Sequence, residues 1–118
     1  MPHLTVEFTN NLASVDTALL LGRLNRVLVA SGQFDGPDIK SRALSLDAYR
    51  VGDEDGSHGF VHLTLSLLSG RPPEVKKKLA DQLLVELQQI RTEQGWRADQ
   101  TQLTVDIRDL EREFYAKG

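Results

Sequence analysis

Four short runs in which apolar and polar residues take turns, separated by two stretches of helical spacing, leave this chain little freedom of fold. The first run is His3-Leu4-Thr5-Val6-Glu7-Phe8, whose period of two reads as a half-buried strand. From Ser14 to Ser31 the apolar residues Leu20, Leu24, Val27 and Leu28 recur at helical spacing, and Gly32 stands where a left-handed residue would end the helix. A second strand is read over Ala43–Val51 from Leu44, Leu46 and Ala48. The turn-rich Asp53-Glu54-Asp55-Gly56-Ser57 then leads into Phe60–Leu68, where Val61, Leu63, Leu65 and Leu67 alternate with His62, Thr64 and Ser66. That turn suggests that the second and third strands form a hairpin. Helical spacing returns over Pro73–Gln94, with Val75, Leu79, Leu83, Leu87 and Ile90 on one face, Pro73 in the first turn and Gly95 as the stop. Leu103, Val105 and Ile107 mark a fourth strand, and the tail from Leu110 carries no clear pattern.

The order is therefore strand, helix, strand, used twice in units of about sixty residues. The expected fold class is α/β: two fused β-α-β units forming a four-stranded sheet with two helices on one face, in a single domain over residues 1–118. Two helices cover only one face of such a sheet, and the alternation makes the other face polar. That face meets another subunit or a solvated interior, or, in a monomer, water.

Composition removes several functions. Fourteen basic and 17 acidic residues give a net charge of -3. Mixed along the chain, they supply no basic stripe for nucleic-acid phosphates, and Lys76-Lys77-Lys78 reads as a solvated helix face. There is no cysteine, hence no disulfide, thiolate nucleophile or thiolate metal site. No apolar run reaches the length of a membrane span, and no signal core precedes the first strand, so a cytoplasmic location is expected. His3, His58 and His62 lack metal-ligand spacing, and the glycines and serines show neither a phosphate-cradling loop nor a nucleophile elbow. No metal and no cofactor are expected. His62 is read as hydrogen-bonded within the sheet or facing a solvated interior, with substrate contact a lesser alternative, and Trp96 and Phe114 as packing either in the core or at a subunit contact.

One residue type points to chemistry. Pro2 stands directly behind Met1 and leads straight into the first strand. If the methionine is removed, Pro2 becomes a secondary amine on a rigid element, a base with no side-chain counterpart. Such a base shuttles a proton only when it is largely unprotonated near neutral pH, whereas an α-amino group titrates at about 7.7–8.0. Burial and neighbouring cations lower that value.

Pro2-His3, Gly32 with Phe34, Ile39-Lys40-Ser41-Arg42, Asp47, Asp55-Gly56, Phe60-Val61-His62-Leu63-Thr64-Leu65 and Gly70-Arg71 occur together in one order. In them the chain resembles the tautomerase superfamily, and within it the 5-carboxymethyl-2-hydroxymuconate isomerases. The resemblance implies a cofactor-independent isomerase of a small anionic, unsaturated oxo-acid, assembled as a homotrimer. It implies Pro2 as the catalytic base, with Arg71 and Lys40 as substrate-binding residues and Arg42 as a weaker candidate. Two departures stand out. Lys40 replaces an arginine typical of these isomerases, trading a planar fork for a point charge and opening the choice of substrate. Pro72 replaces a serine and supplies no side-chain cap for the second helix. Two alternatives remain: a tautomerase of another enol acid, or a hydratase or decarboxylase, on the same base; and a non-catalytic oligomeric binding or scaffold protein.

Overall fold

The computed structural model describes residues 1–12 and 15–118. Strand β1 (His3–Thr9) is followed by helix α1 (Thr17–Ala30), strand β2 (Lys40–Leu46), strand β3 (Gly59–Leu68), helix α2 (Pro73–Gln94) and strand β4 (Thr101–Leu110), with single 3-10 turns at Gly36–Asp38 and Arg112–Phe114. The doubled strand–helix–strand order is thus observed.

Sheet order is β2-β1-β3-β4. β1 runs parallel to β2 and antiparallel to β3, and β3 runs parallel to β4. The expected hairpin between the second and third strands is therefore wrong, because β1 lies between them. Burial explains the arrangement. On the helix side β1 offers Leu4, Val6 and Phe8 and β3 offers Val61, Leu63, Leu65 and Leu67, all buried. In register with Leu4, Val6 and Phe8, β2 offers only Ser41, Ala43 and Ser45. A hairpin would have placed β2, the strand with least to bury, at the centre of the sheet. The span of β2 also differs from Ala43–Val51. Pairing with β1 begins at Lys40, whose N–H donates to the Pro2 carbonyl at 3.0 Å. Leu44, read as an inward residue, stands opposite Glu7 and is exposed.

The helices pack on one face through Leu20, Leu24 and Leu28 of α1 and Leu79, Leu83, Leu87 and Ile90 of α2. Ser14, where the spacing starts the first helix, lies outside the described residues. α1 begins at Thr17, with the Asp16 carboxylate accepting the Leu19 N–H. Gly32 adopts φ +77° just past the helix, as its position suggested. α2 runs from Pro73 to Gln94 and stops at Gly95 with φ +72°, while Pro72 supplies no side-chain cap. A contact that periodicity does not show joins the helices. Arg23 of α1 holds Glu86 at 2.8 Å and both oxygens of Glu93 at 2.8 and 2.9 Å. Trp96 belongs to the core, whereas Phe114 is exposed.

The opposite face of the sheet carries His3, Thr5, Glu7, Arg42, His62, Thr64, Ser66, Thr104 and Asp106 in register. His62 lies within hydrogen-bond distance of Thr104 Oγ1 (2.6 Å) and Thr64 Oγ1 (3.3 Å), as expected for a residue tied into the sheet. Among the described residues no helix is long and apolar enough to cross a membrane.

Candidate active site

Pro2 is buried at the start of β1, where pairing with β2 fixes its carbonyl. Beside it opens a cleft of about 190 Å³ lined by Met1, Pro2, Gly32, Gln33, Phe34, Asp35, Asp38 and Arg71. The fold assembles this cleft from three places: the chain start, the loop that the left-handed Gly32 turns out of α1, and the turn between β3 and α2. A larger groove runs between α1 and α2, away from these groups.

Arg71 is held in a fixed pose. Its Nε donates to Gln33 Oε1 at 3.2 Å, one terminal nitrogen to the Gln33 carbonyl at 3.0 Å and the other to the Leu68 carbonyl at 3.3 Å. The guanidinium carbon lies 4.7 Å from the centre of the Phe34 ring. Burial, and then the charge of Arg112, hold this guanidinium below its ordinary pKa. A guanidinium has five N–H donors and here spends three. One remains on each terminal nitrogen, which is what a two-oxygen anion can use.

Lys40 reaches the site from another side. Its Nζ donates to the Asp38 carbonyl at 2.9 Å and lies 3.8 Å from the Met1 sulfur. Pro2 and Arg71 thus share the cleft, and Lys40 flanks Met1 outside its lining. Arg42 is directed elsewhere: on the polar face it contacts His3 Nδ1 at 3.2 Å. Sequence reasoning did not single out Gln33, Asp35, Asp38 or Lys117. The last sits near the chain's end, yet its Nζ lies 3.4 Å from the same Met1 sulfur.

The electrostatics around the chain's amino terminus disfavour a charged ammonium at Met1. Burial lowers the pKa of the Met1 ammonium; Asp38 opposes this, while Arg71, Lys40 and Lys117 add to it. With Met1 attached, the Pro2 nitrogen is an amide without a basic lone pair. Its basicity would appear only on removal of that residue. Among the described residues no three His, Asp or Glu side chains are grouped to hold a metal.

Comparison with known proteins gives the chain its family. The family model for 5-carboxymethyl-2-hydroxymuconate isomerase matches residues 2–118. The 5-carboxymethyl-2-hydroxymuconate Delta-isomerase of Escherichia coli is 33% identical over 88 residues, spanning 74% of this chain and 69% of that protein. The crystal structure of a 5-carboxymethyl-2-hydroxymuconate isomerase from Deinococcus radiodurans R1 superimposes with a TM-score of 0.89 at 35% identity, over 99% of this chain and 88% of that one. A fused 4-OT symmetric trimer shares the fold at 17% identity, with a TM-score of 0.74 over 98% of this chain and 91% of its own. A four-stranded sheet with both helices on one face, a buried proline behind Met1 and an arginine fixed beside it thus coincide with full-length likeness to isomerases: the chain belongs to the 5-carboxymethyl-2-hydroxymuconate isomerase family.

Proposed function

We propose that this isomerase uses Pro2, freed by removal of Met1, to carry a proton between two positions of a small unsaturated oxo-acid. The observation that carries the reading is the burial of Pro2 in the cleft it shares with the fixed guanidinium of Arg71. The amine takes a proton from the enol or allylic position, leaving a dienolate, and returns it at the far carbon of the conjugated system. One base therefore serves both half-steps, and no cofactor is required. Arg71 binds a carboxylate and steadies the dienolate charge with its two remaining N–H groups. Lys40 is a second anion contact. The cations that bind the substrate also hold the amine unprotonated, since each disfavours an ammonium nearby.

The substrate of the named relatives, 5-carboxymethyl-2-hydroxymuconate, is the leading candidate, with aromatic-compound breakdown in the cytoplasm as the setting. The polar sheet face is proposed as the contact of a homotrimer, a reading supported by symmetric trimers among the structural neighbours.

The test combines the intact mass of the purified protein with its rate of ketonising 2-hydroxymuconate. Loss of methionine with rapid turnover that Pro2→Ala sharply lowers is the expected result. Turnover unchanged by Pro2→Ala, or turnover with Met1 retained, overturns the assignment of the base. Retained methionine with no turnover favours the non-catalytic alternative.

A further inference from the structure

We propose that Tyr115 is a positioning residue for the base: through His3 it holds the head of β1, and with Arg112 it makes the last residues of the chain a clasp across the two elements that carry Pro2 and Arg71. The inference rests on the reading of Pro2 given above and adds to it what keeps the freed amine in place.

Removal of Met1 turns Pro2 into a chain end. Besides its burial, its backbone ties are then the peptide bond to His3 and the hydrogen bond that its carbonyl accepts from the Lys40 N–H at 3.0 Å. The direction of the amine lone pair therefore depends on how firmly His3 is held. The imidazole is held from both nitrogens: a terminal nitrogen of Arg42 lies 3.2 Å from Nδ1, and the Tyr115 hydroxyl 2.8 Å from Nε2. A guanidinium donates and never accepts, so Nδ1 presents its lone pair to Arg42 and the ring proton sits on Nε2. That N–H donates to the Tyr115 hydroxyl. Both contacts need a neutral ring, because an imidazolium would turn a second N–H against Arg42. Burial, and then the charges of Arg42, Lys40 and the amino terminus, lower the His3 pKa in the same sense. The His3 and Tyr115 rings also meet edge to face, with centres 6.1 Å apart.

Tyr115 belongs to the tail that no periodicity marks, yet that tail is anchored at its start. β4 ends at Leu110, whose carbonyl accepts the Ser69 N–H at 2.9 Å. Arg112 then donates through Nε to the Ser69 carbonyl at 2.6 Å and through its backbone N–H to Ser69 Oγ at 3.3 Å. Ser69 stands two residues before Arg71, across Gly70 with φ +118°. Three residues after Arg112, Tyr115 reaches His3, the neighbour of Pro2. One short segment thus ties the turn that carries Arg71 to the strand that carries the base, and sets how the two groups sit across the cleft. Proton transfer is sensitive to such placement, since an error of about 1 Å between reacting groups can cost as much as a hundredfold in rate.

The experiment uses protein whose mass confirms loss of Met1 and follows ketonisation of 2-hydroxymuconate. Tyr115→Phe keeps the ring and loses the hydroxyl; it is expected to lower kcat about tenfold with KM within about twofold of the parent. His3→Ala should lower kcat similarly, and adding Tyr115→Phe to it should cost nothing more, because the tyrosine acts through the histidine. His3→Gln, whose amide can still donate to Tyr115, should recover most of that kcat when Tyr115 is present and none of it in Tyr115→Phe. Glu113→Ala, exposed on the same tail, should match the parent. An unchanged kcat in Tyr115→Phe overturns the proposal, as do additive losses in the double variant, a loss confined to KM, or a changed mass in sedimentation. If the parent shows no turnover, the reading of Pro2 fails by itself. The clasp is then decided by hydrogen exchange at the Lys40 N–H, which pairs with the Pro2 carbonyl: exchange about tenfold faster in Tyr115→Phe supports it, and parent-like exchange overturns it.

Discussion

Replacing Arg71 by lysine and by alanine separates the charge of this group from its shape. Three of its five N–H donors hold it against Gln33 and Leu68, and Phe34 lies beneath its plane. The remaining two can grip a carboxylate as a fork. A hydrogen bond to a charged group is worth about 1.5–3 kcal/mol net, and partial exposure of Arg71 places these two at the lower end. Arg71→Ala removes both, about 3 kcal/mol, or roughly a hundredfold in kcat/KM. Arg71→Lys keeps the charge but loses the plane, the stacking and one of the two bonds, and should cost about tenfold. The two variants differ in a second way. A neighbouring cation lowers the pKa of the amine, so its removal raises that pKa. The acid limb of the pH profile therefore moves to higher pH in the alanine variant and stays near its place in the lysine variant. The assay is steady-state ketonisation across pH, with urea unfolding to show that the fold survives the loss of a cation–π contact worth about 1 kcal/mol. A lysine variant with full kcat/KM, an alanine variant within about threefold of the parent, or an unmoved acid limb would refute the reasoning.

Two further outcomes concern stability. A Cβ added at Gly59 would lie 2.5 Å from Thr9 Oγ1 and 2.9 Å from Asn11 Oδ1, and the fully buried Thr9 is pinned by the Phe60 N–H at 3.1 Å. Gly59→Ala should therefore lower unfolding free energy by about 1–3 kcal/mol in urea, and a parent-like midpoint would contradict the crowding. Hydrogen bonds from Arg23 hold the exposed Glu93 carboxyl below its usual pKa. Its contribution is present above the ordinary carboxylate range and is lost as pH falls through the lowered value. Between neutral pH and about pH 3, Arg23→Ala should lose less of its urea midpoint than the parent, and equal losses would refute the linkage.

What could be read in advance followed from how local the signals were. α2 was legible to the residue because Leu79, Leu83, Leu87 and Ile90 repeat on one face between a starting Pro73 and a stopping Gly95, all within one stretch of chain. β2 was displaced because it is an edge strand: Ser41, Ala43 and Ser45 give a poor apolar pattern, and its start is set by the Pro2 carbonyl across the sheet. The hairpin was misjudged for the same reason, since strand order depends on which strands have most to bury. In the site, Pro2 was suggested by its place in the chain, and Arg71 and Lys40 by family resemblance. Gln33 and Lys117 enter through contacts with Arg71 and Met1 that no spacing encodes.

The antiparallel pairing of β1 with β3, each followed by a helix and a parallel partner, relates the halves of the chain by an approximate twofold rotation. Any position at the head of β1 has a counterpart at the head of β3. There the rotation carries Pro2 onto the neighbourhood of His58 and Gly59, inside an unbroken backbone. A terminal amine can occupy only one of the two places, so the doubled scaffold offers a single position for the base proposed at Pro2. With no terminus to present, the second head is free to serve stability, as the lack of room for a Cβ between Gly59 and Thr9 shows.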